Sequence, residues 1–309
     1  MTATTTDAPP PASASKQDIT VLLLCGGLSH PPLATALNAP LLSLPQTPDR
    51  SVLGCWIDAF THAGLGIDRC RLLTNTDGSP GTMLTPDIET LPDSGPYRGP
   101  AGVVRDAVDH LDAQGCCLII ETSRMLSKPE TLSGFIGACR NRKGTISVAT
   151  NPDGSFSGLI AADTEAIRLI PGIGFIDIKE QWLPAASREG FEIIPHMLDA
   201  PCYSIRTSKL YLEALRRMGR FDQASGTRVI GRGTHSIFGE PYGGSLIAKS
   251  AEIAPGAVVS CSAVGDGAVI ESDAVVVRSI VGPRARIKKR ELIIDSVVQT
   301  SDDLSEHRT

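Results

Sequence analysis

Residues whose types and spacing could carry chemistry gather just after short apolar runs. Cys25-Gly26-Gly27-Leu28-Ser29-His30-Pro31-Pro32-Leu33 follows Ile19-Thr20-Val21-Leu22-Leu23-Leu24. A glycine-rich turn in that place can bring backbone N–H groups up to a phosphate. Gly26 and Gly27 suit such a turn, whereas Pro31 and Pro32 each lack the N–H that would serve it, and no lysine or arginine stands in the stretch. After the run Leu118-Ile119-Ile120 come Glu121-Thr122-Ser123. Glu121 and Ser123 are two apart on a strand end and share a face, so a carboxylate and a hydroxyl could address one metal ion there. A solvated strand-end carboxylate is the plainer use of Glu121. Cys25 near His30 suggests a nucleophile and its base; with no third residue to orient the histidine, a buried thiol and a loop histidine is the preferred reading. Arg98 and Arg105 flank Gly99-Pro100-Ala101-Gly102, where Arg98 could meet a phosphate or close a surface salt bridge.

The elements that must hold these residues alternate. Residues 19–24, 70–74, 116–120 and 145–149 are short and apolar, bounded by Gly, Asp or Asn, as buried parallel strands are. Residues 51–63, 101–113 and 129–142 carry apolar side chains at helical spacing, for instance Val52, Trp56 and Phe60, or Val104, Val108 and Leu111. The alternation predicts a doubly wound α/β sheet. Ligands of such sheets bind at the carboxyl ends of the strands, which directs attention to the loops after Leu24, Thr74 and Ile120.

A different pattern occupies the C-terminal part. Ile247, Ile253 and Val259, then Val264, Ile270 and Val276, then Val281, Ile287 and Ile293 recur in steps of six, six and five, a 17-residue period. The fourth residue after each anchor is usually small, as at Ala251, Ala257, Ala263, Ala268, Ala274 and Ala285, with Ile280, Glu291 and Val297 as departures. This spacing predicts a triangular parallel β-helix, in which each coil turns one large side chain inward per face. It resembles the left-handed β-helix of hexapeptide-repeat proteins. Such helices stack on copies of themselves or on a neighbouring domain, and the repeat holds no histidine for acyl transfer.

Composition narrows the partners. The 309 residues carry 29 Lys and Arg against 34 Asp and Glu, a net charge of −5, with no basic block to track a phosphate backbone, so nucleic acid is an unlikely partner. The eight cysteines, at 25, 55, 70, 116, 117, 139, 202 and 261, show no CxxC pair and no zinc-like spacing and read as buried thiols in a reducing compartment. Residues 1–17 read as a disordered tail without the apolar stretch of a signal peptide, and no run has the length of a membrane span. A soluble, cytoplasmic protein is expected, with a tail at 1–17, an α/β domain at 18–225, a β-helix at 226–300 and a second tail at 301–309.

Four local matches, in order and ahead of the β-helix, make the chain similar to the sugar-1-phosphate nucleotidyltransferases, which join a Rossmann-like domain to a left-handed β-helix. VLLLCGG resembles the strand that leads into their signature loop. Ala39-Pro40-Leu41-Leu42 falls where they have Lys-Pro and apolar residues. Tyr97-Arg98-Gly99-Pro100-Ala101-Gly102-Val103-Val104-Arg105 resembles the segment that approaches the nucleotide base. Asp177-Ile178-Lys179-Glu180-Gln181-Trp182-Leu183-Pro184, followed by Thr207-Ser208-Lys209-Leu210-Tyr211-Leu212-Glu213-Ala214, is similar to their Asp-Leu-Lys-Glu-Gln-Leu-Ile-Pro and Thr-Pro-Glu-Asp-Tyr-Leu-Glu-Ala.

The resemblance implies attack of a sugar-1-phosphate oxygen on the α-phosphorus of a nucleoside triphosphate, with Mg²⁺ and cations taking up the charge. It implies nucleotide contacts at Gly26, Gly27, Arg98, Gly99, Ala101 and Gly102. It also marks departures. Ser29, His30 and Pro31 stand about where Gly, Thr and Arg are expected, Ala39 replaces a lysine, and Ser123 and Ser204 occupy the positions of the two metal aspartates. Asn151-Pro152-Asp153-Gly154-Ser155-Phe156 resembles an Asp-Gly turn without the Glu-Lys-Pro that follows it, and the domain looks shortened between Asp163 and Gly174. Lys179 reads as positional.

The first expectation is therefore a pseudoenzyme of nucleotide-sugar metabolism that binds a nucleotide or nucleotide-sugar, or assembles as a homo-oligomer or with an active relative. The second is an active nucleotidyltransferase whose Mg²⁺ is held by Glu121, with Asp153 as its partner. The third is a hexapeptide acyltransferase using His235.

Overall fold

The structure, a computed structural model, describes residues 19–25, 31–74, 88–93, 98–139, 143–221 and 244–299. Both expected tails, Gly26 and Gly27, Ser29 and His30, His235 and the boundary at 225/226 lie outside the described residues.

In chain order the first part comprises β1 (Ile19–Leu24), α1 (Pro32–Leu37), a hairpin of β2 (Pro45–Thr47) and β3 (Arg50–Ser51), α2 (Val52–His62), β4 (Cys70–Thr74), β5 (Glu89–Pro92), α3 (Gly99–His110), β6 (Cys116–Glu121) and β7 (Arg124–Leu126). There follow α4 (Glu130–Cys139), β8 (Thr145–Thr150), β9 (Phe156–Asp163), α5 (Thr164–Arg168), α6 (Leu183–Arg188), β10 (Glu192–Met197), β11 (Cys202–Ser204) and α7 (Ser208–Arg217). The four strands and three helices expected from the spacing are present as β1, β4, β6 and β8 and as α2, α3 and α4.

Seven strands form one sheet in the order β10-β8-β9-β6-β1-β4-β5. From β1 the chain steps to β4 and β5, then returns to β6 on the other side of β1, so the topology reverses between β1 and β6. β9 runs antiparallel to both its neighbours while the other strands run parallel. The cause is local. A turn over 151–155, closed by Gly154 N–H to Asn151 O at 2.8 Å and Asn151 N–H to Ser155 O at 2.7 Å, leaves the chain beside the strand it came from, and so short a link joins only antiparallel strands.

Strand alternation divides the interior into two cores. Val21 and Leu23 of β1 and Leu118 and Ile120 of β6 face a core with Trp56, Phe60 and Phe135. Leu22, Cys117 and Ile119 face the opposite core with Val104, Val108 and Trp182. Covering both faces is what a run such as VLLL requires.

The C-terminal part winds as predicted. The first coil holds β12 (Leu246–Ile247), β13 (Glu252–Ile253) and β14 (Val258–Ser260); the second β15 (Ala263–Val264), β16 (Val269–Ile270) and β17 (Val275–Val277); the third β18 (Ile280–Val281), β19 (Arg286–Ile287) and β20 (Leu292–Ile294); β21 (Val297–Val298) begins a fourth. All nine anchors stack in parallel register: Ile247, Val264 and Val281; Ile253, Ile270 and Ile287; Val259, Val276 and Ile293. Left-handed backbone recurs at the same corners, Gly256, Asp273 and Arg290, and Cys261, Arg278 and Asp295, each set 17 residues apart. A serine ladder runs beside them: the hydroxyls of Ser245, Ser262 and Ser279 accept the N–H groups of Ser262, Ser279 and Ser296 at 3.0–3.1 Å.

One face of the β-helix is not solvated. Leu246, Ala263 and Ile280 lie in the same core as Trp56 and Phe60, and Val297 packs against it. Lys249 N–H donates to Pro48 O at 2.7 Å, tying the first coil to the β2–β3 hairpin. This explains two departures from the small-residue rule: Ile280 and Val297 follow Ala263 by one and two periods and point into the α/β domain rather than into the coil.

Candidate functional site

The reversal between β1 and β6 opens a crevice at the carboxyl ends of the strands, the place where ligands of such sheets bind. Leu24 pairs with Glu121 at its floor. Thr122 holds the two strand ends together, its N–H at 3.2 Å and its hydroxyl at 2.8 Å from Leu24 O. Beside them, burial pushes the Cys25 thiol up to about 12, against a weaker pull from a Thr122 hydrogen bond. A thiol in that state is no nucleophile near neutral pH.

The positions at which the resemblance implies two metal aspartates are side by side. β7 pairs antiparallel with β11, Arg124 standing opposite Ser204, and Ile205 N–H donates to Ser123 O at 2.9 Å. This ribbon is fixed from three sides: Trp56 Nε1 donates to Arg124 O at 3.2 Å, Gln46 Nε2 to Leu126 O at 2.6 Å, and buried Asn151 both donates to Cys202 O and accepts from its N–H. Elements distant in sequence thus bring Ser123 and Ser204 together, but as hydroxyls.

Glu121 is committed elsewhere. Its Oε2 accepts from Arg124 Nε at 3.3 Å. Asp153 is exposed and closes its own turn, accepting from Ser155 N–H at 2.9 Å and the Ser155 hydroxyl at 2.6 Å, which lowers its pKa. Among the described residues no group of three or more His, Cys, Asp or Glu side chains converges as a metal site. Mg²⁺ prefers charged oxygen in octahedral array, so two neutral hydroxyls and a salt-bridged glutamate do not fit the ion that the resemblance implies.

The turn before α3 is held from within. Gly99 adopts φ +70°, and a Cβ there would stand 2.6 Å from Ile176 O. Ala101 N–H donates to Ile176 O at 3.1 Å and Ile176 N–H to Arg98 O at 3.0 Å. Arg98 is buried and turned onto protein acceptors: Nε and Nη2 grip Asp106 at 2.8 and 2.7 Å, Nη1 reaches Gly174 O and Nη2 reaches Pro171 O. Its guanidinium packs over Gly102, whose absent side chain leaves it room. The stretch between Asp163 and Gly174 supplies these acceptors. Arg98 thus shapes the turn, in which Ala101 and Gly102 are buried and the Ala101 N–H is taken by Ile176 O. Arg105, which flanks the turn, pairs with Asp109 at 2.8 Å.

Other motif residues have structural employment. Ala39 lies in the core. Asp177 caps the helical turn that follows it, accepting from Lys179 and Glu180 N–H at 2.7 and 2.8 Å while Gln181 accepts Asp177 N–H. Thr207 caps α7 through Leu210 N–H at 3.2 Å.

Three neighbours of the crevice are legible only in three dimensions. The Arg124 guanidinium carbon lies 5.8 Å from the Phe156 ring centroid, and Lys179 Nζ lies 4.0 Å from it. The Arg124 stem crosses Gly158, at φ +89°, where a Cβ would meet its Cγ at 2.5 Å. That arginine follows Ser123 directly, and its place beside a strand-end carboxylate was the one available signal.

No protein-family model and no curated protein sequence matches the chain. Among solved structures, HddC from Yersinia pseudotuberculosis superposes with a TM-score of 0.50 at 13% identity, over 64% of this chain and 98% of that one. A protein described as a glucose-1-phosphate thymidylyltransferase from Bacillus anthracis, crystallised with sucrose, gives 0.49 at 12% identity, over 65% and 95%. The likeness is one of fold. It agrees with a Rossmann-like α/β domain, and the stacked strands that follow form a parallel β-helix. No helix among the described residues is long and apolar enough to cross a membrane.

Proposed function

We propose that the protein is a nucleotidyltransferase-like member of nucleotide-sugar metabolism that binds a nucleotide or nucleotide-sugar, has lost most or all catalysis, and acts in the cytoplasm as a regulatory or assembly subunit. The observation that carries the reading is that Ser123, whose O accepts Ile205 N–H, and Ser204, opposite Arg124, are backbone neighbours at the β7–β11 ribbon, with Glu121 drawn onto Arg124. The frame that would hold two metal carboxylates is kept and the carboxylates are not. Splitting a triphosphate builds charge on its oxygens, and a site without carboxylates to hold Mg²⁺ lacks the metal ion that would take up that charge. Binding asks less, since a ligand in the crevice at the β1–β6 reversal needs no metal.

The assembly part of the reading rests on the β-helix, whose third strand stack exposes Leu292 and Ile294. Glu121 and Asp153 as substitute metal ligands, the competing reading, require both to leave their present partners.

Thermal denaturation against a panel of nucleotides and nucleotide-sugars tests binding. A true ligand of the native state at about a hundredfold excess over its Kd stabilises by about 2.7 kcal/mol. Stabilisation by at least one of them is expected; a flat response to all of them overturns the reading.

A further inference from the structure

Two cations stand at the crevice that neither the sequence motifs nor the resemblance assigns to a ligand. Arg124 is rigid: its stem is seated on Gly158, its side chain is only 15% exposed, and Nε is held by Glu121. Its terminal Nη1 and Nη2 groups have no hydrogen-bond partner among the described residues. Lys179 is exposed, lies over the Phe156 ring and has no carboxylate partner among the described residues. Two like charges drawn to one ring repel each other, and the ring's pull alone is a weak reason for both to converge. Their sum with Glu121 leaves one net positive charge.

Directly opposed residues of an antiparallel pair project from the same side of the ribbon. Ser204, opposite Arg124, therefore projects from the same face of the ribbon.

We propose that Arg124 and Lys179 form a metal-free anion subsite that takes the phosphate of a sugar phosphate, with Ser204 available to a sugar hydroxyl. The open fork of Arg124 matches two phosphate oxygens, and Lys179 supplies a point charge that can follow the third. Because the guanidinium is already immobilised by Glu121 and Gly158, little order is lost on binding. This rests on and deepens the nucleotide-sugar reading above by naming which positive charges stand in for the metal ion.

The test is calorimetric titration of the full chain with glucose 1-phosphate in the presence of EDTA, beside a nucleoside diphosphate that lacks the sugar. The unmodified protein is expected to bind the sugar phosphate without metal, with affinity falling as salt rises. Lys179→Gln, at an exposed side chain that leaves the fold intact, is expected to weaken it about tenfold or more, the loss of one charge-assisted contact. Arg124→Lys, which keeps the charge and loses the fork, is expected to weaken it likewise, and Lys179→Arg to preserve it. Equal affinity in Lys179→Gln and Arg124→Lys overturns the subsite, as does binding that appears only when Mg²⁺ replaces EDTA. Absence of sugar-phosphate binding overturns it too. In each of these cases the nucleoside diphosphate arm reports separately on the broader reading, which stands if that ligand binds.

Discussion

Cys25 shows what position does to a reactive side chain. With its thiol at about 12, only on the order of one molecule in ten thousand carries the thiolate at about pH 8. Native protein is therefore expected to resist alkylation at Cys25 for far longer than the urea-unfolded chain, as mass spectrometry of the peptide would show; rapid native labelling would revive a nucleophilic role. Ser123 and Ser204 were legible as a pair only through the resemblance, which assigns both to the metal-aspartate positions. Arg124 was not, because its role depends on Gly158 and Phe156, which join it only once β9 has folded back beside β6. Of the two uses read for Arg98, the structure shows the salt bridge: its partner Asp106 lies two turns along α3, so the guanidinium folds onto its own helix.

Elements differ in how openly they are written. The β-helix was readable because every anchor must reach one axis, which imposes a period that loops do not blur. Its serine ladder adds a stability term. Ser279 is fully buried, accepts Ser296 N–H at 3.1 Å and donates to Val277 O at 2.7 Å. Ser279→Ala leaves Ser296 N–H without its acceptor, while Val277 O keeps Asp295 N–H at 3.1 Å, and should cost about 1 kcal/mol by urea unfolding, whereas Ser296→Ala at the ladder's end should cost well under half of that. Equal losses would mean that the ladder is incidental. β9 and β10 were harder to read, since the direction of β9 is set by the tight 151–155 turn and β10 is an edge strand that buries little.

Helix α7 yields a pH prediction. Glu213 accepts from Arg216 and then Arg217, which hold its carboxyl down to about 2 against an ordinary 4.5. A depressed folded pKa contributes stability above the unfolded value, and that contribution is lost as pH falls from about 4.5 through about 2. These side chains are a third to more than half exposed, so the effect on stability is small, under about 1 kcal/mol. The titration itself is the better readout: the Glu213 carboxyl signal should move with a midpoint near 2 and return to the ordinary carboxylate range in an Arg216→Gln, Arg217→Gln double variant. A midpoint that stays put would show that the arginines do not hold it.

At the scale of the whole molecule, an α/β sheet and a β-helix share one hydrophobic core, so the coils are part of the domain that frames the crevice rather than an appendage. The sheet order brings the ends of β1 and β6, the β7–β11 ribbon and the Asp177 helical turn to one edge, and there Ser123 and Ser204 neighbour an arginine and a lysine that lie over Phe156. The central claim is that this frame binds and does not turn over. Pyrophosphate release, followed with Mg²⁺, each nucleoside triphosphate and a panel of sugar-1-phosphates, tests it most directly. No release above the uncatalysed background is predicted. Release at ordinary enzyme rates, on the order of 1–1000 per second, that disappears in Glu121→Ala would contradict it.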